Sequence, residues 1–137
     1  VPVPHHFVLI DDSVTDQWLA REAFEQLCPD CTLRCFDRGA VALDWLRSAP
    51  ERPDVILLDI NMPGMSGFEV LEQLKADPEL TLIPVVMLST SGDRGDVSRA
   101  YTLHASSYLV KAPGFGDFLK QIDACLDYWR AAQLAHT

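Results

Sequence analysis

The side chains best suited to chemistry sit where apolar runs stop. Asp11 and Asp12 follow Phe7-Val8-Leu9-Ile10, and Asp59 closes Val55-Ile56-Leu57-Leu58. Ser89 ends Val85-Val86-Met87-Leu88, and Lys111 follows Ser107-Tyr108-Leu109-Val110. If the first and third runs are neighbours, three carboxylates share one crevice. Burying them without a positive partner is costly. A hard divalent cation resolves this; magnesium, or manganese in its place, takes a few carboxylates, some water and a phosphate oxygen. Lysine adds a point charge and serine a hydroxyl, both suited to a phosphoryl group. Asp59 is then a nucleophile able to become an aspartyl phosphate, and catalysis is mainly positioning and charge stabilisation. A carboxylate pair for sugar hydrolysis is an alternative that the lysine and hydroxyl fit poorly.

Each residue has a plainer reading. Asp11-Asp12 could be a solvated turn capping the first helix. Ser89 alone could be structural, Lys111 a surface lysine, and Tyr108 a strand-edge aromatic. Asp59 is harder to dismiss, because turn carboxylates are usually exposed and this one ends an apolar run. The joint pattern carries the functional reading.

These residues need a scaffold of strands alternating with helices. Strands are expected at Phe7–Ile10, Thr32–Phe36, Val55–Asp59, Val85–Ser89 and Ser107–Val110. The first, third and fourth are continuous apolar runs, as in a parallel sheet covered on both faces. Helical stripes lie between them: Ala20, Ala23, Phe24, Leu27; Gly67, Val70, Leu71, Leu74; and Val97, Ala100, Tyr101, His104. The last and longest is Phe115, Phe118, Leu119, Ile122, Cys125, Leu126, Trp129. Each gives a helix one face to bury. Ser66-x-x-Glu69 reads as a capping box, Asp77-Pro78 as a helix stop, and 38–48 as a helix ending before Pro50. Five βα units imply a doubly wound α/β domain. Ligands in such sheets sit beyond the carboxyl ends of the strands, at the switch point.

The 137 residues suit one domain. Twenty acidic against eleven basic residues leave a net charge of -9, a poor match for non-specific binding to DNA or a membrane surface. No apolar run approaches the ~20 residues of a membrane span, and the run at 7–10 lacks the flanks of a signal peptide. Val1 is not a start methionine. Cys28-x2-Cys31-x3-Cys35 resembles a zinc spacing, yet the three fall on a helix end, a turn and a strand without a fourth ligand. Reduced thiols in a cytoplasmic protein are the expectation. His5, His6 and His136 are expected in solvent, and His104 on a helix face.

In four segments the chain resembles the receiver domains of two-component response regulators: Leu9-Ile10-Asp11-Asp12-Ser13, residues 57–67 from Leu57 to Gly67, Ile83-Pro84 through Ser91, and Ser107-Tyr108-Leu109-Val110-Lys111. The likeness runs from about residue 6 to about 128, a receiver domain, with 129–137 as a helix end or tail and no output domain. It implies a flavodoxin-like (βα)5 three-layer sandwich with strand order 2-1-3-4-5. It implies that Asp59 is the phosphoacceptor and that Asp11, Asp12, Asp59 and the backbone carbonyl of Asn61 hold the cation. It gives Ser89, Thr90 and Lys111 to the phosphoryl group, and makes Ser89 and Tyr108 the switch pair. A sensor histidine kinase is the implied donor, and a homodimer through the fourth helix, fifth strand and fifth helix the implied assembly, with Tyr101, Tyr108 and Trp129 on that surface. Ser89-Thr90-Ser91, Tyr101 and Tyr128-Trp129 are similar to stand-alone regulators paired with bacteriophytochrome-type kinases, which implies a light signal.

Two positions depart from the family. Proline usually follows the lysine, often after a cis bond; here Ala112 intervenes before Pro113. A cis bond before alanine costs ~3 kcal/mol against ~1 before proline, so it is not carried over. His104-Ala105 stands where Gly-Ala is common, and histidine enters the left-handed region less readily than glycine. An aspartate-nucleophile phosphohydrolase of the haloacid-dehalogenase kind would carry a second Asp two residues after the nucleophile; Asn61 stands there and cannot act as the acid. A receiver that has lost phosphorylation is a third reading, disfavoured because every required residue type is present.

Overall fold

The computed structural model describes residues 5–49 and 51–131. His136 and the tail from 132 lie outside the described residues. Strands β1 (His6–Ile10), β2 (Thr32–Phe36), β3 (Val55–Asp59), β4 (Val85–Ser89) and β5 (Ser107–Val110) alternate with helices. The helices are α1 (Val14–Leu27), α2 (Gly39–Ser48), α3 (Gly67–Ala76), α4 (Arg94–Thr102) and α5 (Phe115–Ala131). All neighbouring strand pairs are parallel, in the order β2-β1-β3-β4-β5.

The period-two alternation of a strand sorts the core into two layers. Phe7, Leu9, Val55, Leu57, Val86 and Leu88 face α1 and α5, meeting Ala20, Ala23, Phe24, Phe118, Ile122, Leu126 and Trp129. Val8, Ile10, Ile56, Leu58, Val85 and Met87 face the other way, onto α2, α3 and α4. Buried on both sides, β3 and β4 have no polar face, which is why they read as unbroken apolar runs. Chain direction reverses across β1: α1 leads outward to β2, and α2 crosses back to β3. Right-handed crossovers then put helices on opposite faces and bring the tips of β1 and β3 side by side.

Local chemistry sets the ends of the elements. Ser13, not Asp11 or Asp12, is the N-cap of α1, its side chain accepting from Asp16 N–H. Ser66 caps α3 by accepting from Glu69 N–H, and Asp77 ends that helix. Gly67 begins α3 in contact with the end of β3: a Cβ there would overlap the Asp59 carbonyl oxygen and lie 2.8 Å from Ile60 Cα. Only glycine lets the helix start so close to the strand.

Some expectations are corrected. Cys28 and Cys31 form a disulfide rather than staying reduced. The turn in which Cys31 N–H donates to Cys28 C=O brings their Cα atoms to 5.3 Å, within bridging reach. Cys35 and Cys125 are free. His104 lies past the end of α4 with φ 70°, so it occupies the left-handed region after all. Of its stripe only Ala100 is buried, and Tyr101 is exposed. Trp129 is buried in the core, on the face that the last helical stripe marked. His6 is half-buried, with Nδ1 2.8 Å from Thr32 Oγ1.

Candidate functional site: a carboxylate crevice closed by a lysine

Asp11 and Asp12 leave the tip of β1, and Asp59 is the last residue of β3. One oxygen of each lies within 4.8 Å of the others, the one such acidic, His or Cys group among the described residues. Asp11 and Asp59 are buried and Asp12 is exposed, so the cluster opens to solvent on one side. Asp11 Oδ1 accepts from Ser13 N–H at 2.9 Å, which orients the carboxylate.

Lys111 crosses over from the end of β5. Its Nζ lies 2.7 Å from Asp11 Oδ2, 2.8 Å from Asp16 Oδ2 and 3.5 Å from Asp59 Oδ1. The backbone delivers it there, since Lys111 N–H donates to Ser89 C=O at 2.7 Å. The Lys111–Ala112 bond is trans, like every other peptide bond among the described residues. Ser89 is buried, and its Oγ accepts from Ser91 N–H at 3.0 Å, which leaves the hydroxyl proton to donate elsewhere. Thr90 follows it into solvent. Tyr108 is half-buried, and its hydroxyl donates to Ser91 C=O at 2.6 Å. Asn61 is exposed beside a shallow pocket it shares with Ser66, Asp96 and Arg99.

Burial dominates the electrostatics. It pushes Asp59 up to about 6, Lys111 opposing the rise and Asp11 and Asp12 adding to it. Burial also raises Asp11, against hydrogen bonds from Lys111 and Ser13. For Lys111, burial alone would lower the pKa, but the hydrogen bonds to Asp11 and Asp16 outweigh it and the net shift is upward. A buried carboxylate group held together by one ammonium is short of positive charge. The donor set, all oxygen and open on one side, fits a hard divalent cation.

The crevice thus joins Asp11, Asp12, Asp59 and Lys111, with Ser89 on the neighbouring strand tip. Asp16 was missed by sequence reasoning. Its one signal was an acidic residue in the first turn of α1, a placement that the helix dipole explains without any site.

Residues 7–123 match the model of the response regulator receiver domain. The chain belongs to the receiver family. Response regulator Rcp1 of Synechocystis is 35% identical over 131 residues, spanning 92% of this chain and 89% of that protein. Among solved structures, the phosphorylated cyanobacterial phytochrome response regulator RcpA superposes with a TM-score of 0.90 at 32% identity, covering 96% of this chain and 99% of that one. The Mn2+-bound form of Rcp1 superposes at 0.86 with 34% identity, covering 96% and 99%. The receiver's strand order and five helices are those described above. The probable methanogenesis regulatory protein FilR2 of Methanothrix harundinacea is also 35% identical, over 92% of this chain and 84% of that protein. No helix among the described residues is long and apolar enough to cross a membrane.

Proposed function

We propose that this receiver accepts a phosphoryl group from a sensor histidine kinase, of the bacteriophytochrome type, onto Asp59. The observation that carries the reading is the convergence of Asp11, Asp12 and Asp59 within 4.8 Å, with Lys111 Nζ 3.5 Å from Asp59 Oδ1.

An oxygen of Asp59 attacks phosphorus; the new P–O bond forms as the P–N bond to the kinase histidine breaks. The electron pair returns to the imidazole. Asp11, Asp12, Asp59 and the carbonyl of Asn61 would hold Mg2+, or Mn2+. When bound, the cation supplies positive charge to the nucleophile and the phosphoryl oxygens. Lys111 supplies a further charge to those oxygens, while the Ser89 hydroxyl and Thr90 offer hydrogen bonds. Drawing Ser89 toward the phosphoryl group disturbs the Ser89–Ser91 and Tyr108–Ser91 bonds together, because both end on Ser91. That couples chemistry at Asp59 to Tyr108 and to the α4-β5-α5 face.

The same face is the proposed homodimer surface, with Tyr101, Val110 and Tyr128 among the exposed large side chains. The net charge of -9 argues against DNA and membrane partners, and a cytoplasmic location follows from the kinase partner. Residues 6–128 would make up the receiver. The test is incubation with acetyl phosphate or a phytochrome-type kinase and Mg2+, read by intact mass. Uptake of one phosphate by the wild type and none by Asp59→Asn is expected; equal uptake by both would overturn the assignment. A generic phosphate ester should show no sustained turnover.

A further inference from the structure

The residue after Lys111 is an alanine, and alanine has a backbone N–H that needs an acceptor near the protein interior. The acceptor is Gln121 on α5: Ala112 N–H donates to Gln121 Oε1 at 2.9 Å. The other end of the same amide donates from Nε2 to Val110 C=O at 2.6 Å. One side chain therefore bonds the peptide groups on both sides of Lys111. The partners also fix which way the amide points, because only its oxygen can accept from an N–H and only its nitrogen can donate to a carbonyl.

The peptide group joining Val110 to Lys111 is held twice, its C=O by Gln121 and its N–H by Ser89 C=O at 2.7 Å. The peptide group joining Lys111 to Ala112 is held through Ala112 N–H. The orientation of these two planes sets the direction in which Lys111 Cα projects its side chain. That chain is long, so a small tilt at Cα becomes a large displacement at Nζ. At its far end Nζ meets Asp11, Asp16 and Asp59 with its side chain only 10% exposed. β5 ends at Val110, and the bond from Lys111 N–H to Ser89 C=O is the one backbone tie to β4 beyond that end among the described residues.

We infer that Gln121 is a positioning residue for Lys111, clamping the backbone on either side so that the ammonium reaches the phosphoryl site. The inference rests on the proposed phosphorylation of Asp59. Gln121 carries no charge and acts only through the lysine, which makes it separable from the carboxylates.

The test is the rate of phosphate incorporation from acetyl phosphate at saturating Mg2+, read by intact mass. Gln121→Met keeps the size of the side chain and removes both hydrogen bonds. It should slow incorporation on the order of tenfold, as expected when a charge-stabilising group is displaced by a fraction of an ångström. In a Lys111→Met background the same change should alter the rate less than about twofold, because no ammonium is left to position. Ala112→Pro offers no N–H to satisfy, so in that background too the cost of Gln121→Met should shrink. Gln121→Leu likewise removes both hydrogen bonds without adding charge, and supplies the same ratios if the methionine variant does not fold. An equal slowing with and without Lys111, or no slowing with it, overturns the inference. A wild type that takes up no phosphate at all sinks the proposed function, and this inference with it. A wild type labelled at Asp59 beside an unaffected Gln121→Met sinks the inference alone.

Discussion

Asp59→Asn should make the cation-free protein more stable, although it removes the proposed reactive group. Asp59 is 7% exposed, and burial raises its pKa from the ordinary 3.8 to about 6. Between those two values the folded state holds more protons than the unfolded state, so stability falls as pH rises through this window. Above it the ionised carboxylate costs about 3 kcal/mol, at about 1.4 kcal/mol per pKa unit. Asparagine has nearly the same shape and no charge, and Lys111 retains Asp11 and Asp16 as partners. Urea unfolding in EDTA at pH 7.5 should therefore show the variant ahead by about 2–3 kcal/mol. Repeating the measurement near pH 4 should bring the difference close to zero. Mg2+ should narrow the gap from the other side, since it stabilises the native wild type by mass action. A variant equal to or weaker than wild type at pH 7.5 would refute the reasoning, because burial of charge would then not govern this site.

Other outcomes follow from the same geometry. Cation affinity measured by calorimetry should weaken as pH falls through about 6, where Asp59 takes up a proton and no longer offers a charged ligand. Gly67→Ala should cost more than about 2 kcal/mol in urea unfolding and impair phosphorylation, because the new methyl has no room against the Asp59 carbonyl and Ile60. Trp129→Ala should cost about 3 kcal/mol or more, by thermal or urea unfolding, since the ring lies in the core between α5 and the sheet. Light scattering at high concentration should find a dimer, lost on Tyr128→Glu if the α4-β5-α5 face forms it.

The fold was legible where burial is two-sided. Of the three apolar runs, those of β3 and β4 have the expected bounds and that of β1 gains only His6. A strand buried on both faces can hold only apolar residues, so its ends are written as sharp changes in composition. Helix α4 was less readable. It buries one residue, and its stripe ran on to His104, which the chain uses for a left-handed turn instead. Periodicity cannot tell a covered face from a half-covered one. The carboxylates and lysine were legible because each sits at a strand tip, and parallel strands carry their tips to one end of the sheet. Asp16 and Gln121 were not, since both lie on helices: Asp16 meets Lys111 across 95 residues, and Gln121 bonds Ala112 and Val110 across 9 and 11. The pairing of Cys28 with Cys31 depended on the angle of a turn, which residue types did not reveal.

The contact between Lys111 and Asp11 joins residues 100 positions apart. During synthesis the acidic tips of β1 and β3 emerge from the ribosome long before the strand bearing their ammonium. The ammonium that balances the carboxylates thus arrives only with the last strand, so the crevice is the last part of the sheet to be completed.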